Sequence, residues 1–269
     1  MHNFQRDKMK PHRPHGRLPT TLESNELKAR ALEMILILFY MEDLKEFVLK
    51  SISSTSEFRK TDLLNMIDKD SKDKPFEKAR ALLVSEKIIN QEESDEIKKL
   101  VDYRNHIGHR VYQLTVDVGA YSDLDIIPQY DYTAVKRAQE LRSKVINGMG
   151  RKFILAMSFN TLAFDAAETV YRKEIDRLKK KINKGILELN KEISEINKFI
   201  KSIPKSALEA THPNNPDNYK KNGTLSPHGI RCVCTLFDFQ ATPLAVSYIM
   251  RCSYNTASSW YKKWKNNEF

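Results

Sequence analysis

The chain has 269 residues, of which 41% are hydrophobic and 30% are charged, a composition typical of a globular, highly charged helical protein. Glycine is scarce, with 8 residues, and alternating strand-like patterns are few, so the composition favours helix over strand. A formal net charge of +10 favours an anionic partner, and nucleic acid before a membrane surface.

Two features argue against secreted and membrane classes of protein. The three cysteines, Cys232, Cys234 and Cys252, are an odd number without a signal peptide, which indicates a reducing compartment rather than a disulfide framework. The most apolar run, residues 34–39, is too short to span a bilayer. We therefore expect a cytoplasmic protein without a membrane partner.

The first 20 residues are rich in basic side chains and prolines. One acid, Asp7, stands against five basic residues, which are Arg6, Lys8, Lys10, Arg13 and Arg17. This composition predicts a disordered basic arm over residues 1–20. Such an arm would be either a solvated tail or a contact for phosphate groups, and both interpretations stay open.

Residues 21–203 are predicted to form an all-α domain. From Glu23 onwards, apolar residues recur at spacings of three and four, which predicts one long, well-buried helix. Pro75 is placed to open a second helix, as proline does at a first helical position. A third helix should follow Asn90, because Glu93 three residues later completes the pattern of a capping box.

The second half of this domain contains a loop and a very long helical region. Residues 115–132 have the chain's only strand-like composition, but Asp, Gly and Pro dilute it, so we predict a long connecting loop with room for a short hairpin. Residues 133–203 predict helix, which Gly148 and Gly150 would break or kink. Its end has coiled-coil spacing, carried by Ile186, Leu189, Ile193, Ile196, Ile200 and Ile203. That stripe would pack in an antiparallel hairpin, between two chains, or on its own bundle.

A second, small unit is predicted after the long helix. Residues 204–224 are rich in Pro, Asn and Lys and are predicted to be a linker. Residues 225–269 are long enough only for a compact helical module, with 230–239 as its supporting first helix. His228 and the three cysteines of this region lack the usual spacing of zinc ligands, so no metal site is expected.

The module ends in two helices joined by a short turn. Thr242 is expected to cap the first, Pro243 to open it, and residues 251–253 to form the turn. The pattern resembles the helix-turn-helix of transposase-like and repressor-like DNA-binding domains, although a three-helix protein-interaction domain is the alternative. In the DNA-binding interpretation, small polar groups at the start of the last helix reach base edges and lysines at its end contact phosphates. The residues concerned are Asn255, Thr256, Ser258, Ser259, Lys262, Lys263 and Lys265.

The most informative motif lies in residues 100–112, LVDYRNHIGHRVY. Arg104 is followed by Asn105 and, after a spacer of four residues, by His109. This pattern resembles the HEPN family (higher eukaryotes and prokaryotes nucleotide-binding domain), and the resemblance covers roughly residues 25–170. It implies a four-helix bundle that dimerises so that two motifs face one another. Many members of that family are metal-independent endoribonucleases, while others are not enzymes.

The residue types of the motif suit RNA cleavage. A histidine such as His109 can transfer protons to and from the ribose oxygens, while a permanently charged arginine such as Arg104 stabilises the phosphorane. Because positions five apart on a helix point about 140° apart, Arg104 would have to reach around the helix, or the helix would have to distort there. A dimer that supplies a second copy of each group would relieve this difficulty. Alternatively, His109 is structural, and Arg104 pairs with Asp102 or with an acid on a neighbouring helix. His106 and His109 lack a third ligand, so neither a metal nor a cofactor is expected.

The leading hypothesis is therefore an endoribonuclease that leaves 2′,3′-cyclic phosphate ends. It would act on RNA as a homodimer, as a toxin or phage-defence effector, with DNA bound by the C-terminal module. The alternative is a noncatalytic, dimeric DNA-binding transcriptional regulator. A third hypothesis is a subunit that docks in a larger complex through the isoleucine stripe of residues 186–203.

Overall fold

The computed structural model describes residues 12–16, 19–61, 75–115, 117–118, 130–156 and 159–268. Over these ranges the chain is helical, and β-structure is limited to one isolated bridge between Tyr219 and Leu225. The predicted all-α class is confirmed. Among the described helices, none combines the length and the apolar character that crossing a membrane requires. In chain order the helices are α1 (Thr21–Arg59), α2 (Pro75–Ser85), α3 (Gln91–His109), α4 (Ala134–Met149), α5 (Phe159–Ser202), α6 (Lys205–Ala210), α7 (Pro227–Asp238), α8 (Pro243–Met250) and α9 (Tyr254–Lys265).

The chain divides into two compact units. The first, Glu23–Ile182, is called the bundle below, and the second, called the C-terminal unit, joins Met1–Leu22 to Asn183–Phe269. The division therefore falls inside α5 and not at the boundary of 203 and 204 that the sequence predicted. The sequence did not indicate where the two units divide, because the helical pattern of α5 continues across that position without a break.

The core of the bundle is built on α1. The long helix is present, but its predicted buried stripe is only partly confirmed: Met34, Met41, Leu44 and Val48 are buried, Leu27 is half-buried, and Ala31, Ile35 and Leu38 are exposed. The buried face instead includes Leu36 and Ile37. They belong to one hydrophobic cluster with apolar side chains of the helices that follow, such as Leu83 on α2 and Leu100 on α3. Each helix of the bundle thus contributes an apolar face to a single core.

Local signals set where the third helix begins. The backbone N–H of Glu93 donates to Oδ1 of Asn90 at 2.8 Å, and the backbone N–H of Asn90 donates to Oε2 of Glu93 at 3.0 Å. These two bonds form the predicted capping box, which satisfies amides that have no partner inside the helix.

The predicted break near Gly148 and Gly150 is also present. Helix α4 ends at Met149 and α5 begins at Phe159. A Cβ on Gly148 would lie 2.6 Å from Cγ2 of Ile88, so close packing against that side chain explains the glycine. In the loop predicted at 115–132, residues 116 and 119–129 lie outside the described residues, and so does any hairpin there.

The segment predicted to be a linker is folded. Residues 204–224 contain α6 and a short 3-10 turn, Pro216–Asn218. Asn218 is fully buried, and its amide donates to the backbone oxygens of Ala210 at 3.0 Å and His212 at 3.1 Å. The prediction was wrong because the Pro and Asn that are typical of linkers also form tight, hydrogen-bonded turns.

The last three helices have the predicted bounds to within a few residues. Thr242 caps α8 by accepting a 3.1 Å hydrogen bond from the N–H of Ala245. Arg251 ends that helix in the left-handed conformation, with a φ of 51°, and Ser253 then caps α9. The turn between α8 and α9 is therefore as short as the sequence predicted.

Candidate active site and nucleic-acid interface

The R-x4-H motif occupies the last two turns of α3. His109 is the final residue of the helix, and the N–H of Arg110 closes it with a 3.0 Å bond to the backbone oxygen of Ile107. Buried Ile107 holds this end of the helix on the core. Since α3 stays α-helical through His109, the distortion that could have brought Arg104 towards it within one copy is absent.

Arg104 is paired with an acid from another helix. Its Nη2 lies 2.6 Å from Oε2 of Glu42 on α1, and its Nη1 donates to Oδ1 of Asn105 at 3.0 Å. The side chains of Arg104 and Glu42 are 27% and 53% exposed, so the pair lies at the surface. The sequence raised two possible partners, Asp102 and an acid on a neighbouring helix, and the partner found is on the neighbouring helix. Within the described ranges, Asp102 makes no ion pair with Arg104.

His109 and Asn105 are both exposed to solvent. No hydrogen bond or ion pair engages the His109 ring within the part of the chain that the structure describes. Two large apolar side chains follow it at the surface, Val111 at 62% exposure and Tyr112 at 63%. The histidine therefore stands next to an uncovered apolar surface.

Exposed apolar residues also precede Glu42, the acid that pairs with Arg104. Ile35, Leu38 and Glu42 are spaced by three and four residues on α1 and so share one helical face. Ile35 and Leu38 are exposed although large and apolar. Exposed apolar residues thus lie close in sequence to His109, after α3, and to Glu42, the partner of Arg104, on α1.

A small cavity of about 350 Å³ opens beside the motif. Its lining consists of Tyr103, His106, Ile107, Gln113 and Tyr130. Tyr130 is buried and donates a 2.7 Å hydrogen bond to Glu33, and burial raises the pKa of Tyr103. The sequence did not predict this cavity, because Tyr130 is separated from α3 by the long loop and lies close to it only in the folded chain.

Helix α9 presents a polar face that remains open. Asn255, Ser259 and Lys262 are exposed, and their spacing of four and three places them on one side of the helix. The hydroxyl of Thr256 instead lies 2.8 Å from that of the cap residue Ser253. Ser258 is half-buried.

The other lysines at the end of α9 are also at the surface. Lys265 is exposed, and the Lys263 ammonium sits 4.5 Å from the ring centre of Trp260. Trp264 anchors the same end of the helix, because its indole N–H donates to Asp238 at 2.9 Å. Every lysine that the sequence assigned to phosphates therefore has access to solvent.

The cysteines of the C-terminal unit are buried and free. Cys232 lies 3.6 Å from Nδ1 of His228, and burial raises the pKa of Cys252 to about 11. Within the described ranges, no group of three or more His, Cys, Asp or Glu side chains is arranged to hold a metal ion.

Comparison of the chain with protein-family models, with curated proteins and with solved structures gave no match. Any activity has to be inferred from the residues of this chain and their geometry.

Proposed function

We propose that the chain is a metal-independent endoribonuclease of HEPN type, acting as a homodimer in the cytoplasm. We further propose that it is a toxin or phage-defence effector whose C-terminal unit binds nucleic acid. The observation that carries the proposal is the placement of Arg104 and His109, both accessible, at the same exposed end of α3.

The proposed reaction uses the ribose of the substrate as its nucleophile. One His109 removes the proton of a 2′-hydroxyl, whose oxygen attacks the adjacent phosphorus and forms the cyclic phosphodiester. The bond from phosphorus to the 5′-oxygen breaks, and the protonated His109 gives its proton to that oxygen. Arg104 stabilises the negative charge that builds up on the phosphoryl oxygens.

A second copy of the chain supplies what one copy does not. Arg104 and His109 point about 140° apart around a regular helix, so one phosphodiester does not reach both on a single α3. In a two-fold dimer, Arg104 of one copy would face His109 of the other. The exposed apolar residues after His109 and before Glu42 support a contact between copies there.

The bond from Arg104 to Glu42 is compatible with this role. An exposed ion pair contributes only about 0–1 kcal/mol, so a phosphodiester can compete with the carboxylate at small cost. Until substrate binds, Glu42 would keep the guanidinium at the surface of the bundle.

Mixing two inactive variants tests the proposal. Arg104→Ala and His109→Ala should each abolish cleavage of single-stranded RNA in EDTA. When the two are mixed and allowed to exchange, half of the dimers should hold one intact site, so about a quarter of the wild-type activity should return.

Two results would count against the proposal. A wild-type protein that does not cut RNA removes the activity itself. A mass of 31.3 kDa by light scattering at micromolar concentration, or mixed dimers without recovery, removes the composite site.

A second candidate function is a noncatalytic, dimeric DNA-binding regulator. The open polar face of α9 favours it, because that face would suit base edges and phosphates whether or not the bundle is an enzyme. Replacing Lys262, Lys263 and Lys265 by Ala should weaken binding to all duplex sequences and flatten its salt dependence. Salt-sensitive DNA binding without any RNA cleavage would favour this function. Absence of DNA binding would indicate a protein-docking module.

A further inference from the structure

Part of the N-terminal arm is attached to the C-terminal unit. The backbone oxygen of Pro14 accepts a 2.8 Å hydrogen bond from the N–H of Tyr254, the first residue of α9. The His12 ring lies 3.0 Å from the backbone oxygen of Cys252. For residues 12–16, the prediction of a disordered arm is therefore wrong, while residues 1–11, 17 and 18 lie outside the described residues.

This attachment places His15 in the wall of a cavity of about 390 Å³. The ring of His15 lies 5.0 Å from that of Tyr254, and both residues line the cavity together with apolar side chains of α5 and α8. Glu192 and Glu195 line it as well, and its described lining residues include no lysine or arginine. Because the two carboxylates repel phosphate groups, this cavity does not suit a nucleic-acid substrate.

The cavity beside the R-x4-H motif has a different lining. Tyr103, His106 and Ile107 share one face of α3, and Gln113 belongs to the short 3-10 turn that follows this helix. Tyr130 completes the lining. Among the described residues that line it there is no Asp, Glu, Lys or Arg, so we expect an occupant that is uncharged where it enters the cavity.

Two polar side chains of this lining are free to bind a ligand. Over the described ranges, no hydrogen bond or ion pair engages the ring of His106 or the side-chain amide of Gln113. The two tyrosine hydroxyls, in contrast, already have partners. That of Tyr103 accepts the N–H of Asp131 at 3.1 Å, and that of Tyr130 donates to a carboxylate of α1.

Aromatic rings and a free amide together are suited to an unpaired nucleobase. In single-stranded RNA, bases stack on side chains such as tyrosine and histidine and form hydrogen bonds along their edges. A glutamine amide carries a donor and an acceptor side by side, which matches a base edge that offers the same pair. The volume of about 350 Å³ is near the lower end of the roughly 300–1,000 Å³ of ligand cavities, so it suits one base and not a longer segment.

The cavity lies next to both residues of the motif along α3. His109 follows His106 by three positions, and Arg104 precedes Ile107 by three. Each residue of the motif is therefore about 60° around the helix from a residue that lines the cavity. A base held in the cavity would belong to a nucleotide beside the phosphodiester at the motif.

We propose that this cavity binds the base of a nucleotide next to the cleaved phosphodiester. Gln113 forms hydrogen bonds with the edge of the base, and the ring of His106 stacks on its face. The cavity thereby sets a base preference at the cleavage site. This inference rests on the proposed endoribonuclease function and adds to it the residues that determine specificity.

The test maps where the full-length protein, in EDTA, cuts a pool of single-stranded RNAs with a randomised central region. Sequencing of the new ends should show one base enriched at one position next to the cut. Gln113→Ala should lower that preference by about five- to 150-fold, the factor that a good pair of hydrogen bonds to a base edge contributes. On a short RNA with the preferred base, the loss should appear mainly as a higher KM and not as a lower kcat.

Two changes at His106 separate stacking from proton transfer. His106→Ala should raise KM on the same RNA by at least about fivefold, the lower end of what stacking of one base contributes. His106→Phe keeps a ring and should restore KM without a loss of kcat. A fall of kcat in His106→Phe as deep as that in His109→Ala would show that His106 transfers protons, and would overturn its stacking role.

Gln139→Ala is the matched control. Gln139 is, like Gln113, a half-buried glutamine of the bundle, but it lies on α4 and does not line the cavity. This variant should keep the base preference and the KM of the wild type. Both glutamine variants should unfold in urea as the wild type does, so that a change in preference reflects the cavity and not the stability of the bundle.

The outcomes separate this inference from the proposed function. If the wild-type protein cuts no RNA, the endoribonuclease function fails and the base site fails with it. If the wild type cuts RNA without preferring any base, the function stands and the base site is overturned. The base site is also overturned if Gln113→Ala keeps the wild-type preference, as the Gln139→Ala control should.

Discussion

Glu42 on α1 accepts a 2.6 Å hydrogen bond from Nη2 of Arg104 on α3, which ties the first residue of the motif to a helix 62 positions earlier in the chain. In the proposed mechanism this carboxylate competes with the RNA phosphate for the guanidinium. We expect Glu42→Gln to raise kcat/KM for RNA by up to about fivefold, the equivalent of the roughly 1 kcal/mol that an exposed ion pair contributes at most. Cleavage rates across substrate concentrations measure this effect.

Glu46→Gln is the matched control, because Glu46 lies one turn further along α1 and pairs only with Lys50 among the described residues. That variant should cleave RNA as the wild type does. A loss of activity in Glu42→Gln as deep as that in Arg104→Ala would show that the carboxylate takes part in the reaction.

The buried guanidinium of Arg30 is expected to stabilise the bundle. It is 2% exposed and hydrogen-bonds to Glu26, Asp117 and Tyr132, as well as to the backbone oxygen of Leu114 at 2.8 Å. Arg30→Met leaves two buried carboxylates without their cation, so unfolding by urea should show a loss of about 3–5 kcal/mol.

Arg177→Met is the matched control, because Arg177 is exposed and pairs with Glu174, three residues earlier in the same helix. The unfolding curve of this variant should match that of the wild type. A loss below about 1 kcal/mol in Arg30→Met would mean that water or other groups satisfy the carboxylates.

We expect a larger residue at Gly229 to destabilise the C-terminal unit, because the turn at Asn218 packs against this glycine. A Cβ at this position would lie 2.1 Å from the backbone oxygen of Asn218, and a backbone atom cannot move aside as a flexible side chain can. Gly229→Ala should therefore destabilise the C-terminal unit by about 1–3 kcal/mol or more. Thermal unfolding followed through Trp260 and Trp264 measures this.

The control is Gly108→Ala, where the added Cβ would meet nothing within 4 Å and the residue is helical. Its stability should stay the same or rise by up to about 1 kcal/mol. Equal stability of both variants would contradict the close approach of residue 218 to α7.

The attachment of the arm should weaken in acid. Burial lowers the pKa of His12 below its usual value of about 6.5, and the charge of Arg251 lowers it further, against the effect of the hydrogen bond to Cys252. The released arm then takes up a proton more readily than the attached one, so the attachment loses stability as the pH falls below about 6.5 and through the lowered pKa.

An NMR titration of the His12 ring measures this directly, and amide exchange at Tyr254 should become faster over the same pH range. In His12→Gln that pH dependence should disappear. A His12 pKa at or above 6.5 would contradict the buried attachment.

The parts of the fold that follow local rules could be predicted from sequence. The capping box of Asn90 and Glu93, the cap at Thr242 and the break at Gly148 each depend on residues a few positions apart. The sequence left the partner of Arg104 open between Asp102 and an acid on a neighbouring helix, because the choice depends on how α1 and α3 pack.

Other features depend on contacts that no local pattern encodes. The turn around Asn218 had the composition of a linker, and its folded state follows from burial of that side chain under α7. Attachment of residues 12–16 to Tyr254 joins segments about 240 positions apart, and their proline and basic content predicted only a disordered arm. The contribution of Tyr130 to the cavity beside His106 likewise depends on residues that are far apart in the chain.

The most direct test of the central proposal is the chemistry of the RNA ends. Purified protein in EDTA should cut an all-RNA strand and leave 2′,3′-cyclic phosphate and 5′-hydroxyl ends, because the substrate's own 2′-oxygen attacks. A strand with a single 2′-deoxy ribose at the cleaved position should resist at that position, and correctly folded His109→Ala should cut neither strand. Cleavage of DNA, a strict need for Mg²⁺, or full activity in His109→Ala would contradict the account.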